Sequence, residues 1–321
     1  MCYSAQVWTS YRSYVREWGV DISIKEYLKL YRFREAAASK VYIPKGMDAA
    51  FVEPTTAEER EIKSLIDQYN FDQAKILEAE LFKQTKRKAD AERTLQTKTT
   101  KKAREDKRIA GDKIEGAKDK LADLHRTETK AGDGRIFPFW WAPVMVMEGG
   151  KLVVKPMRYH CRLDGWHAAM EKDYGTYNAR RDSFGGTWKK QFGYQHGIMV
   201  VNRFYENVAR HDMEGRPLRP GEKKENVRLE FNPNPAHDML VACLWHRSRG
   251  FGEELDEFYS FAAITDEPPA EVAAAGHDRC IVPIKPQNVE AWLNPDPNNL
   301  AAMQAILDDR DRPYYEHRLA A

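Results

Sequence analysis

Four short segments, far apart in the chain, hold the residue types that covalent and proton-transfer chemistry needs. The first is MCYSAQVW, with Cys2 directly after the opening methionine. Removal of Met1 would leave Cys2 with a thiol and a free α-amine on adjacent carbons. That amine titrates at about 7.7–8.0 against about 10.4 for lysine, so roughly a tenth of it is unprotonated at neutral pH. A 1,2-aminothiol can trap an aldehyde as a Schiff base and close it to a thiazolidine, or act as an amine-activated thiol nucleophile. A frayed end that carries no function is the alternative. The second segment, TYNARRDSF, holds Asn178, Arg180 and Arg181. The third, NRFYEN, puts Glu206 at the end of an apolar strand, and the fourth, AGHDRC, puts His277, Asp278 and Arg279 just before another strand. Singly these have ordinary readings: Asn in a turn, Glu on a surface, His satisfied in a loop. With the aminothiol they supply a nucleophile, an acid/base carboxylate, an imidazole and anion-binding guanidiniums.

The elements that must position these groups are legible in part. TSYRSYVREW places Tyr11, Tyr14, Val15 and Trp18 on one helical face, with Gly19 as a stop. A second helix is expected from SIKE, where Ser23 and Glu26 have capping-box spacing. From Thr56 to Thr129 the chain has no proline and is dense in Glu, Lys, Arg and Ala. Ile62, Ile66 and Tyr69 recur at helical spacing, as do Ile114, Ala117, Leu121 and Leu124. Two long helices joined near Thr97–Lys102 are expected, a charged hairpin within a single domain spanning 1–321. After it come strand signals: PVMVMEGGKLVV around Gly149-Gly150, then HGIMVVNRFYE, NVRLEF, DMLVACLW, FYSFAAIT and IVPI. PQNVEAWL and NLAAMQAILDD return to helix. No regular strand–helix alternation points to a parallel sheet. The fold class expected is α+β, with a mainly antiparallel, barrel-like β core, flanking helices and the helical hairpin.

Composition narrows the classes. The 321 residues carry a net charge of +2, too small to argue for nucleic acid by itself. No apolar run reaches the length of a membrane span and the N-terminus lacks a signal-peptide layout, so neither membrane nor export is expected. Cys2, Cys161, Cys243 and Cys280 are scattered and form no disulfide framework, which suits a reducing cytoplasm. There is no P-loop, dinucleotide fingerprint or Gly-x-Ser-x-Gly elbow. Cys243-x-x-His246 and His277-x-x-Cys280 have metal-like spacing. On a strand, however, Cys243 and His246 point to opposite faces, and Cys280 opens an apolar run as a small hydrophobe. No metal or other cofactor is expected.

MC, NAR, FYE and HDR, in that order, resemble the signature of the SOS response-associated peptidase (SRAP) family, whose members cap abasic sites in single-stranded DNA. WWAPVMVMEGGKLVVKPMRYHCRLDGW also resembles the family's Ala-Pro hairpin and Gly-Trp element. The resemblance covers residues 1–20 and about 137–295. It implies Cys2 as covalent nucleophile after loss of Met1, Asn178 holding its amine and thiol, Glu206 as acid/base beside the sugar, and His277 as proton shuttle. It implies phosphate contacts from Arg180 and Arg279, and Trp166, followed by His167, as the wedge that opens the DNA. Tyr3-Ser4 replaces the common Gly-Arg, which removes one phosphate contact; His167 replaces an aromatic and Asn207 a tryptophan. The expectation is a monomeric, cytoplasmic, nucleoid-associated protein that crosslinks to abasic single-stranded DNA, with replication or repair proteins as further partners. Autoproteolytic removal of residues before Cys2 is part of it. A thiol peptidase or N-terminal-nucleophile amidohydrolase, and a non-covalent reader of modified DNA, are the rival readings.

Overall fold

A computed structural model describes residues 3–37, 40–171, 173–252 and 254–320. The chain begins with β1 (Ser4–Val7), α1 (Tyr11–Trp18), β2 (Asp21–Ile22), α2 (Ile24–Ala36) and α3 (Lys45–Ala49). Two long helices follow, α4 (Ala57–Thr97) and α5 (Lys101–His125). Next come β3 (Arg135–Ile136), β4 (Trp141–Glu148), β5 (Lys151–Tyr159), α6 (Ala168–Glu171) and β6 (Asn178–Arg180). The long strands are β7 (His196–Ala209), β8 (Asn226–Asn234), β9 (Met239–Arg249) and β10 (Glu257–Asp266), with α7 (Arg210–Met213) after β7. The end is α8 (Ala270–Ala274), β11 (Cys280–Ile281), β12 (Pro283–Ile284), α9 (Val289–Leu293), α10 (Leu300–Asp308) and β13 (Tyr314–Leu319).

Five strands close a ring in the order β9–β10–β5–β4–β7 and back to β9. The pairings are antiparallel except β5 with β10, where Ser260 lies opposite Arg158. The fold is therefore α+β with a barrel-like, mainly antiparallel core. The parallel pairs β2–β5, β5–β10 and β6–β10 depart from the sequence pattern. They involve two- and three-residue pairings reached by long connections, which leave no strand–helix periodicity to read.

Runs such as LVACL are continuous rather than alternating because ring strands are buried on both faces. Val144, Met199, Val201, Val241, Cys243, Phe261 and Ala263 pack together on one side. Met145, Ile198, Val200, Leu240, Ala242, Ala262 and Ile264 pack with Tyr14, Tyr27, Trp292 and Leu307 of the helices. Helices cannot fit within a five-strand ring, so the first set lines its inside. β7 changes this alternation. Its pairing with β1 slips between Gln6 and Val7, leaving Asn202 without an opposite residue. This bulge moves Phe204 and Val208 onto the inner set, and Glu206 shares their face. Glu206 is thus interior to β7, not at a strand end as its sequence suggested.

The helices follow their patterns with two exceptions. Val15 is exposed while Tyr11 and Tyr14 are buried. Ser23 gives no side-chain cap to α2; its carbonyl accepts from Glu26 and Tyr27 instead. The capping box sits at α4, where Thr56 Oγ1 accepts from the Glu59 N–H at 3.1 Å. The Glu59 carboxylate in turn accepts from Thr55 N–H at 2.6 Å, Arg12 at 3.1 Å and the Tyr11 hydroxyl. Beyond this base the hairpin is an alanine seam. Gln84 and Ala91 of α4, and Ala103, Ala110 and Ala117 of α5, are buried at seven-residue spacing.

Candidate active site

Glu206, carried inward by the Asn202 bulge, is 1 % exposed. His277 reaches it from the other side of the sheet connection. The turn after α8 passes through Gly276, whose φ of +90° a side chain would resist, and whose added Cβ would meet Asp212 at 2.8 Å. That turn delivers His277 with Nε2 at 3.2 Å from Glu206 Oε2. Its Nδ1 lies 2.8 Å from the Arg279 carbonyl. The Arg279 N–H also approaches Nδ1, at 3.3 Å, so the backbone there offers a partner to either tautomer. Nε2 and Oε2 are within reach of a shared proton. Burial raises the Glu206 carboxyl above the ordinary carboxylate range, outweighing the lowering by His277 and by the Tyr3 N–H. Burial thus favours the acid form of Glu206 beside His277, and the pair is placed to hand on a proton.

Cys2 lies outside the described residues. Tyr3, its covalent neighbour, brings its backbone N–H close enough to Glu206 to lower the carboxyl. The Tyr3 ring meets Phe137 edge-on at 5.8 Å and Tyr177 at 6.5 Å. Tyr177 precedes Asn178, a buried residue that opens β6 opposite Ala263. Thus Glu206 and His277 are in direct contact, and Asn178 joins them through Tyr3 and Tyr177. Thr265 of β10 pairs with Arg180 on one side and Ile281 on the other. This brings Arg180 and Arg279 to the same carboxylate, Asp182, at 2.6 Å and 3.4 Å. Trp166 stands apart, tilted against Tyr174 at 5.0 Å and packed on the helix-covered layer, with His167 exposed beside it. Sequence reasoning missed Tyr3, Tyr177, Asp182 and Arg135. Arg135 donates to Ser4 Oγ at 3.0 Å and lies over the Tyr205 ring at 3.6 Å. Only adjacency to Cys2 and Asn178 could have pointed to the two tyrosines; nothing local marked Arg135.

A buried carboxyl, an imidazole in contact with it and two guanidiniums sharing one exposed carboxylate suit proton transfer beside an anionic chain. Among the described residues no group of three or more His, Cys, Asp or Glu is placed to hold a metal ion. Residues 83–319 match the family model described as SOS response associated peptidase (SRAP). The chain belongs to this family. Membership carries a general role in processing abasic sites in damaged DNA, and with it DNA binding. The matched span includes Asn178, Arg180, Glu206, His277 and Arg279, and starts within α4, after Cys2. Similar solved structures include a protein from Bordetella bronchiseptica, 16% identical, with a TM-score of 0.46 over 59% of this chain and 87% of that one. A phage-related protein from the same organism is 19% identical, with a TM-score of 0.44 over 61% and 85% of the two chains. One from Bacteroides thetaiotaomicron is 12% identical, with a TM-score of 0.43 over 59% and 78%. No curated protein matches the chain. Among the described residues no helix is long and apolar enough to cross a membrane.

Proposed function

We propose that this SRAP protein forms a covalent thiazolidine with abasic sites in single-stranded DNA through Cys2, shielding the site from strand cleavage. The observation that carries the reading is the buried Glu206–His277 contact at 3.2 Å, one peptide bond along from Cys2 through the Tyr3 N–H. Glu206 donates its proton to the ring oxygen as the C1–O bond breaks, and the C1 hydroxyl returns a proton through His277, leaving the aldehyde. The Cys2 amine adds to that carbon and water leaves, giving the imine. The thiol then adds across the C=N bond and its proton moves to nitrogen, so aldehyde and aminothiol become thiazolidine plus one water. Imine alone would leave the strand open to β-elimination; thiol closure removes that route. His277 relays protons between Glu206 and solvent, and Asn178 positions the amine and thiol. Arg180 and Arg279 exchange Asp182 for phosphate oxygens. Arg135, held by Ser4, offers a guanidinium near the terminus where the family's fourth-position arginine is absent.

The test is incubation with abasic single-stranded DNA, read as a heat-stable gel shift and as intact mass. The wild type should gain the mass of the DNA less one water, on protein that has lost Met1. Cys2→Ala should give no heat-stable adduct, and protein that retains Met1 should fail equally because an amide nitrogen cannot close the ring. A full yield of stable adduct from Cys2→Ala would overturn the mechanism. Acylation of Cys2 by peptide or amide substrates, without DNA adduct, would favour an amidohydrolase.

A further inference from the structure

Two chains of ring contacts leave Tyr3 and end on the walls of one cavity. The first runs Tyr3–Phe137 at 5.8 Å, Phe137–Trp140 at 5.5 Å and Trp140–Tyr42 at 5.7 Å, the last pair stacked. The second runs Tyr3–Tyr177 at 6.5 Å, Tyr177–His160 at 5.9 Å and His160–Phe139 at 4.3 Å, again stacked. Tyr42 and Phe139 both line a cavity of about 210 Å³, with Phe33, Trp141, Phe258 and Arg158 among its other walls. We propose that this cavity receives one flanking nucleobase of the bound strand; this rests on the single-stranded DNA reading above.

Three features fit a base better than a packing defect. The volume is below the roughly 300–1,000 Å³ of sites for drug-sized ligands, so it admits about one ring system. Its walls are aromatic, and one of them is held in place against its own backbone preference. Phe139 and its stacking partner His160 both have left-handed φ, +72° and +113°, uncommon for residues with side chains. The third feature is a donor. Arg158 bonds Glu171 and lies over the Phe258 ring at 4.5 Å, and its buried Nε–H has no acceptor among the described residues. A base carbonyl or ring nitrogen would supply one, which a hydrocarbon could not. Lys40, whose ammonium sits over the Tyr42 ring at 5.1 Å and which also lines the cavity, adds a cation for the adjoining phosphate.

The experiment uses wild-type protein and a single-stranded oligonucleotide with a central tetrahydrofuran, an abasic analogue that cannot form the adduct. Each flanking nucleotide in turn is replaced by the same baseless sugar, and affinity is measured by fluorescence anisotropy. One position should stand out with a loss of about tenfold, the scale of one stacked base. Tyr42→Ala and Leu255→Phe, which open and fill the cavity respectively, should each lose about as much with the intact strand. At that one position neither should lose more when the base is removed, because the substitution and the base removal abolish the same stacking. Equal small losses at every position, or a variant loss that adds fully to base removal, would overturn the proposal. Because the analogue is unreactive, failure of Cys2 chemistry leaves this test standing. No binding of any oligonucleotide would overturn the pocket and the DNA reading together.

Discussion

Glu206 and Glu59 are both nearly inaccessible carboxylates, one inside the strand ring and one at the base of the α4–α5 hairpin, and their surroundings move them in opposite directions. Burial acts on each to favour the neutral acid. At Glu59 it is outweighed by the Thr55 N–H, the Tyr11 and Thr55 hydroxyls and the Arg12 guanidinium, and the carboxyl falls to about 2. At Glu206 burial prevails over His277, and the carboxyl rises. Donors prevail at Glu59, near the surface at the hairpin base, and desolvation prevails at Glu206, deep in the ring. Four donor groups around Glu59 tie α1 to the first turn of α4 and make a fastener. Around Glu206, His277 and the Tyr3 N–H oppose burial without overcoming it, which leaves a proton that can be moved.

The largest effect expected from breaking this comparison is at Glu206. Glu206→Gln keeps the size of the side chain and removes its proton chemistry, so adduct formation with abasic DNA should slow by about 10²–10⁴-fold, with DNA affinity retained. Wild-type rates should fall as pH rises through the elevated folded value, where the acid form is lost. Stability runs in the same direction. A carboxyl raised on folding contributes stability that is full below its unfolded pKa and is lost as pH rises through the folded one. Glu206→Gln should therefore melt no lower than wild type at neutral pH. Single-turnover rates against pH, with melting curves for both proteins, decide it. An unchanged rate would reduce Glu206 to a packed side chain.

Much of this contrast could not be read from the sequence, and the reason differs between the two sites. The hairpin was legible because its signals are local: alternating charge, no proline, apolar residues at helical spacing and helix ends near Thr97 and Lys101. The ring strands were legible as apolar runs. The inward aim of Glu206 was not, because it depends on a one-residue slip against β1, a strand too short to announce itself. His277 was legible as a chemical group but not as the partner of Glu206, since 71 residues and an α8 turn separate them. Capping-box spacing occurs at Ser23–Glu26, yet the box forms at Thr56–Glu59, where an arginine and a tyrosine from α1 complete it. Spacing alone could not choose between these two candidates; tertiary donors did.

Glu59→Gln is the matching break on the hairpin side. Its carboxyl is depressed from 4.5 to about 2 on folding, which contributes on the order of 3 kcal/mol above the unfolded value. That contribution is lost as pH falls from about 4.5 through about 2. The variant should melt lower than wild type at pH 7, and the gap should close as pH approaches 2. Its single-turnover rate, measured where both proteins are folded, should be unchanged. A melting gap that stays constant with pH would show that shape, not charge, holds the fastener. A slowed rate would join the two carboxylates into one functional unit and end the contrast.

The smallest effect concerns the far end of the hairpin. Between Lys83 and Arg108 stand eleven Lys/Arg against four Asp/Glu. All four acids are taken up by Arg87, Arg93, Lys107 and Arg108. The remaining cations of that stretch are without an ion-pair partner among the described residues. At 1.5 Å per residue, the 41 residues of α4 extend about 60 Å, so these cations lie roughly 40–60 Å along the hairpin from its base. We propose that they reach DNA only when the strand is long enough to extend to them. Because Glu59, Ile62 and Ile66 are buried at the base, the excision must spare it. Lys113 and Glu80 face each other at 3.8 Å, so joining residue 80 to 113 through a Gly/Ser turn removes the tip in register. With an oligonucleotide of about ten nucleotides, the salt dependence of binding should match wild type. With about forty, the slope of log affinity against log salt should become shallower by roughly 0.7 for each phosphate that is no longer neutralised. A shallower slope with the short strand would place the tip over the site. Unchanged slopes with both would leave it no role in DNA binding.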